Sequence, residues 1–361
     1  MAITKIPAAG FTGNNFRNII INGDMSIAHR GTSTASITSN GYYTVDRFDI
    51  DLNTLGTWTQ SQSTDVPTGQ GFAKSLKFDC TTANASPAAG DKLFLEQAIE
   101  GQNLQYLKKG TSSAESLTLS FWVKTNKTGI YTLELEDKDN TRSFSQTYTV
   151  SSADTWEKKT LTYAGDTTGA FDNDNGASLK CNFWLGAGSD FTSGTFQNSW
   201  GSKIAANRVS SSQVNLADNT ANEWYITGVQ LEAGTTASDF EFLPYDVNLQ
   251  RCQRYYQVLA DGDDQAFGMA TYFDSTTLYS SQQLFIPMRT TPTIDITTGT
   301  AYYVFARNSG SDTFDSFFLQ NRTHKNYIEF LNNTQVSGTG GDAGFLRTDN
   351  ASAFVGMDAE L

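Results

Sequence analysis

The sequence predicts a mainly β protein: an antiparallel jelly-roll sandwich, a short linker helix and then a second, smaller β domain. Three observations lead there. Apolar and polar residues alternate over short runs. In SLTLSFWVK, Leu117, Leu119, Phe121 and Val123 share one face, and Thr118, Ser120, Trp122 and Lys124 share the other. In GIYTLELE, Tyr131, Leu133 and Leu135 oppose Thr132, Glu134 and Glu136. Gly, Ser, Thr and Asn crowd the segments between such runs, as turns require. Finally, 361 residues is enough chain for two cores, at a prior of roughly 150 residues per domain.

Taken in order, residues 1–16 carry Pro7, Gly10 and Gly13 without periodicity and read as an N-terminal arm suited to attachment. Strands are expected at 46–51, 56–62, 73–79 and 92–99, with a helical turn in EGQNLQYL, where Leu104 and Leu107 are three apart. SFSQTYTV, TWEKKTLTYA and SLKCNFWLGAG continue the strands, the last with Leu179, Cys181, Phe183 and Leu185 on one side. Residues 186–222 are rich in Gly, Ser, Asn and Asp and read as long surface loops around Phe191, Phe196 and Trp200. WYITGVQLE then closes the jelly-roll domain, 17–245. Its apolar phase shifts across Gly228, where a β-bulge is expected. DVNLQRCQRYYQV has helical spacing and gives the linker helix, 246–257, with Asp246 as N-cap. Strand-like runs resume in a distal β domain, 258–361.

Lys and Arg number 25 against 38 Asp and Glu, and the net charge of -13 argues against a phosphate-binding surface and so against nucleic acid as a partner. No stretch approaches the 18 apolar residues of a membrane span, and MAITKIPAAG lacks the apolar run of a signal peptide, so neither membrane insertion nor signal-directed export is expected. Cys80, Cys181 and Cys252 are far apart and outside any CxxC spacing, which predicts reduced, buried thiols of a chain made in a cytoplasm.

Several stretches resemble, in order, bacteriophage tail-fibre and related virion appendage proteins. NIIINGDMSIAHRGTS followed by TVDRF is similar to the family's opening strands, and LEQAIEG followed by LTLSFWVK to its central sheet. TWEKKTLTYAGDTTGAFDNDNGASLKCNFWLGAGSDF resembles its carbohydrate-binding-module-like jelly roll, and ITGVQLEAG followed by CQRYYQ its link to a distal domain. His29 stands where a Gln is expected and Phe48 where a Trp is common. The resemblance covers residues 17–257. It implies a homotrimeric virion protein, tail fibre or tail appendage, joined to other virion proteins through its arm and binding host-surface glycan. A capsid-surface decoration fibre or a polysaccharide depolymerase are the alternatives.

Four residues are candidates for carbohydrate binding. Trp122 and Trp184 fall opposite Phe121 and Phe183, where an indole can stack the C–H face of a sugar while Asn182 and Lys124 bond its hydroxyls. The competing reading puts these indoles under a loop or at a subunit contact. FDNDNG offers Asp172 and Asp174 as hard oxygen donors for calcium, the one cofactor considered. Gly176 comes one residue early for a calcium loop and residue 183 is Phe, so a polar turn is the leading reading. No nucleophile stands in a catalytic setting, and His29 and His324 are the only histidines, so no enzyme is expected. Glu134, Glu136, Asp137 and Asp139 could supply a glycosidase pair, but on the polar face of a strand they are expected to be solvated. Leu249, Cys252, Tyr255 and Tyr256 are the expected trimer contact, three helices meeting on an axis.

Overall fold

A computed structural model describes residues 16–361, so the attachment arm lies, apart from Phe16, outside the described residues. The chain divides into two compact units. One comprises residues up to Ser26 with Ser33–Gly41 and Asp49–Leu243; the other comprises Ile27–Thr32, Tyr42–Phe48 and Pro244–Leu361.

The first unit is the expected antiparallel sandwich. One sheet runs Ser33–Ile37, Thr57–Ser63, Ser75–Thr82, Glu223–Ala233, Leu117–Thr125, Glu157–Tyr163. In the other, Gly201–Ser202, Arg142–Val150, Gly129–Asp137, Ala177–Ala187, Lys92–Glu100 and Asp49–Asn53 follow one another. These orders are non-sequential, as jelly rolls require. The alternation read from the sequence sets the inner faces. Leu119, Phe121, Val123, Leu133, Leu135, Cys181 and Phe183 are all buried, and Phe121 meets Phe183 edge-on across the core at 5.2 Å between ring centroids. Each such side chain contributes about 1.5–3 kcal/mol by leaving water. Leu104 and Leu107 are buried on consecutive 3-10 turns, Gly101–Asn103 and Gln105–Leu107.

The bulge sits where the apolar phase shifts. Pairing with Leu117–Thr125 slips between Thr227 and Gln230, and Gly228 has φ +63. A Cβ there would lie 2.6 Å from the Phe72 ring, so both backbone and space require glycine. Beyond the bulge the strand holds the N-terminal segment. Asn18 Nδ2 donates to the Val229 carbonyl at 3.0 Å, Asn18 Oδ1 accepts from Leu231 N at 3.0 Å, and the Gln97 amide bonds both N and O of Ile21. NIIINGD, LEQAIEG and ITGVQLEAG, with bonded residues up to 213 positions apart, are thus one hydrogen-bonded clasp.

The second unit begins with a helix, Tyr245–Gln253, capped at Pro244 rather than Asp246, which sits in the first turn. A three-stranded sheet, Tyr256–Asp261, Phe354–Asp358, Thr293–Ile296, packs with a seven-stranded sheet from Gly310–Phe314 to Phe318–Leu319. Its core includes Phe267, Tyr272, Tyr303, Phe317 and Phe330.

The sequence assigns Ile27–Thr32 and Tyr42–Phe48 to the jelly roll; in the structure they belong to the second unit. The reason is a buried charge cluster. Arg30 stacks on Tyr256 and Arg47 on Tyr255, each with its guanidinium carbon 3.5 Å from the ring centroid. Arg30 bonds Asp358 at 2.9 Å, and Glu360 receives Arg47. Burial works to discharge Arg47, but the adjoining Glu360 carboxylate prevails and raises its pKa. His29, in the position where Gln is expected, meets Asp46 at 2.5 Å. Cys252, Tyr255 and Tyr256 are therefore interior residues of a single chain, leaving no surface of theirs for neighbouring copies, while Leu249 is half-buried. This corrects their expected place at a trimer contact. The tyrosines are drawn in by cation–π contacts from Arg30 and Arg47, some 200 residues earlier, and Tyr256 also donates to Asp295 at 2.5 Å, none of which helical spacing reveals.

Candidate functional site

The outward faces of the two sandwich sheets differ, and the difference divides the four candidate carbohydrate residues. Trp184 and Asn182 point outward from Ala177–Ala187 but are fully buried. The segment 189–215 lies over them: Trp184 packs against Phe94 at 4.5 Å, Phe191 at 5.4 Å and Val209. Beneath it is a charged network. Arg208 donates to Glu134 at 2.8 Å and to Glu136 at 3.2 Å, Lys203 bonds Glu136 at 2.6 Å, and Asn182 Nδ2 and Trp184 Nε1 each reach Glu134 at 3.1 Å. Neither residue can meet a glycan, so Trp184 and Asn182 are corrected from ligand platform to covered face. Glu134 and Glu136, expected in solvent, are buried and fully engaged. Burial works to raise Glu136, but Lys203 and Arg208 outweigh it and hold the carboxyl below its ordinary pKa.

Trp122 and Lys124 project from the outer face of the other sheet, where they remain half-buried and accessible. Register builds a cluster around them. Lys124 lies opposite Tyr225 on the neighbouring strand, and Tyr225 opposite Lys77 on the next. Trp156, from the turn before Glu157–Tyr163, stands edge-on to Tyr225 with centroids 6.2 Å apart. The Lys124 ammonium sits 4.5 Å above the Tyr225 ring. Two carboxylates fix these groups in place. Asp65 accepts from Trp156 Nε1 at 2.9 Å and pairs with Lys124; Glu223 accepts from Tyr225 Oη at 2.7 Å and from Lys77 Nζ at 2.6 Å.

The electrostatics follow from this arrangement. Partial burial works to raise Asp65, but hydrogen bonds from Lys124 and Trp156 outweigh it and lower the pKa from the ordinary 3.8. Glu223 is likewise lowered, its burial outweighed by Lys77 and Tyr225. Tyr225 itself is raised, by burial and then by donating to Glu223. The face offers the half-buried indoles of Trp122 and Trp156, backed by the buried Tyr225 ring and framed by two ammonium groups and two ionised carboxylates. Sugars need both parts, an apolar ring face and a rim of directed donors and acceptors. Sequence reasoning missed Trp156, Tyr225, Asp65 and Glu223. Tyr225 and Glu223 alternate with the core residues Trp224 and Ile226, a signal present in the sequence; Trp156 and Asp65 arrive from turns and give none.

Asp172 and Asp174 lie in an exposed turn. Gly176 N donates to Asp174 Oδ1 at 2.8 Å and Asp172 N to Asp139 Oδ2 at 2.9 Å, the hydrogen bonds of a polar turn. Among the described residues no three His, Cys, Asp or Glu side chains form a group that could hold a metal ion. Among them, too, no helix is long and apolar enough to cross a membrane.

No family model matches the sequence, and no curated protein matches it. Among solved structures, the chain is similar to the enzymatically active domain of bacteriophage CBA120 tailspike protein 4, at 15% identity and a TM-score of 0.33, over 61% of this chain and 22% of that one. It is also similar to a CBM4 module, at 12% identity and a TM-score of 0.30 over 59% of this chain and 97% of that one. A third likeness is to TmCBM61 in complex with β-1,4-galactotriose, at 10% identity and a TM-score of 0.30 over 60% and 99%. The chain thus spans about a fifth of the length of the tailspike it matches. At these identities and scores the three likenesses say nothing about what this chain does.

Proposed function

We propose that this chain is a non-enzymatic adhesion protein of a bacteriophage virion, a tail fibre or tail appendage built from identical copies. Its sandwich would bind host-surface glycan through the outer face of the sheet that carries Trp122. The observation that carries the reading is the pair of accessible indoles Trp122 and Trp156 on one sheet face, with Trp156 set against the buried Tyr225 ring and held by Asp65. Rings locked by hydrogen bonds lose little freedom on binding, which favours weak, extended ligands such as glycans. The resemblance of residues 17–257 to tail-fibre proteins supports the virion assignment. The engagement of Glu134 and Glu136 by Arg208 and Lys203 supports binding without hydrolysis, since neither carboxyl is placed to act on a sugar bond.

The test is a glycan array probed with the full chain, followed by incubation with each bound polysaccharide and an assay for new reducing ends. Binding without new ends is expected. Absence of any glycan binding would overturn the adhesion reading, and new reducing ends the non-enzymatic one.

A further inference from the structure

The seven-stranded sheet of the second unit turns one face to the core and the other outward. Register shows what the outward face carries. Phe345, Met269, Ser281 and Glu329 stand side by side on four strands, and Ala343, Thr271, Tyr279 and Leu331 form the next row. Phe318 lies opposite Leu331. A solvated sheet face would hold polar side chains here. Instead Met269 is 68% exposed, Phe318 45% and Phe345 42%, and Phe273, one residue beyond its strand, is 74% exposed. At about 200 Å² per large apolar side chain, these four leave roughly 460 Å² of apolar surface in water. That is the size of the largest patch of an ordinary monomer, about 300–600 Å² and often functional, and over half of the roughly 800 Å² each partner buries in a stable interface. An open groove of about 590 Å³ runs between Met269, Phe273 and Tyr279.

Charge indicates what covers it. The chain carries -13 overall, so copies repel through most of their surfaces. Glu329 is the one charged residue in these two rows, and Arg322 neutralises it at 2.7 Å. On this face, two copies meet without opposing like charges. We propose that the outward face of this sheet, centred on Met269 and Phe273, is the contact between copies of this chain. The proposal rests on the multi-copy part of the reading above and is independent of its glycan part.

The test is sedimentation equilibrium of the full chain at about 10 μM, wild type against a Met269→Ser, Phe273→Ser, Phe345→Ser variant. Wild type is expected at a whole multiple of 39.5 kDa, and the variant at 39.5 kDa with an unchanged thermal transition. Should that variant fail to fold, Met269→Glu alone places a charge on an exposed side chain at the centre of the face and is expected to weaken association at least tenfold. A wild type that sediments at 39.5 kDa, or folded variants that keep the wild-type mass, would overturn the proposal. Glycan-array binding by each variant separates this outcome from the adhesion reading: loss of association with binding retained leaves that reading standing.

Discussion

Replacing Glu360 by alanine should unfold the second unit at a markedly lower temperature. Arg47 is 0% exposed and Glu360 5% exposed at their side chains, so the pair is desolvated and little screened by salt. Two further partners raise the stakes: Arg47 lies 3.5 Å above Tyr255, and Glu360 also takes Arg30 at 3.4 Å. Removing one member of a buried pair costs about 3–5 kcal/mol, because the other charge stays behind in the interior. In a domain of this size that corresponds to a drop in melting temperature of roughly 10 °C or more. Scanning calorimetry on the full chain reads the transition directly. Glu360→Gln, which keeps an acceptor oxygen, should lie between wild type and Glu360→Ala. Arg47→Met combined with Glu360→Leu should recover most of the loss, as apolar replacement of a buried pair is often close to neutral. If Glu360→Ala melts within 1 °C of wild type, Glu360 does not sustain the buried Arg47, and the account of why Ile27–Thr32 and Tyr42–Phe48 join this unit fails.

A fragment starting at Pro244 lacks Arg30 and Arg47 and is expected to show no cooperative thermal transition by near-UV circular dichroism; a sharp melt would contradict the assignment of the two early segments. Gly228→Ala forces a left-handed alanine into the Phe72 ring and should cost about 2–4 kcal/mol in urea unfolding, whereas a loss below ~0.5 kcal/mol would mean the bulge tolerates a side chain. Asp65 and Glu223 both have folded pKa values below their ordinary 3.8 and 4.5. Their contribution is therefore complete above that range and lost as pH falls through the lowered folded values. Glycan binding measured by titration calorimetry should be flat from pH 7 to about pH 5 and fall only below the ordinary carboxylate range; a decline centred near pH 6 would point to a group outside this cluster.

Much of the sandwich was legible because alternation is a local property. Leu117 to Val123 and Tyr131 to Leu135 fixed the inner faces, and the phase shift in WYITGVQLE located the bulge at Gly228. What alternation cannot show is what lies over an outer face. Trp122 and Trp184 have equivalent positions in their strands, yet the segment 189–215 covers Trp184 and leaves Trp122 accessible. Glu134 and Glu136 looked solvated for the same reason: their partner Arg208 is more than 70 residues away, in a stretch without periodicity. The tyrosines of CQRYYQ posed the same problem over a longer span. Their helical spacing is real, but Arg30 and Arg47 decide their place, and only the folded chain brings those together.

The claim that matters most is that one sheet face of the sandwich binds glycan. It is tested by titration calorimetry of an array-selected oligosaccharide against wild type, Trp156→Ala and Trp184→Phe, each verified as folded. Loss of the Trp156 ring should weaken binding about tenfold, the ~1.4 kcal/mol of a lost aromatic stack, while Trp184→Phe, changed only beneath the covering segment, should bind as wild type does. Unchanged affinity for Trp156→Ala, with affinity lost in Trp184→Phe, would contradict the assignment and return the site to the opposite sheet.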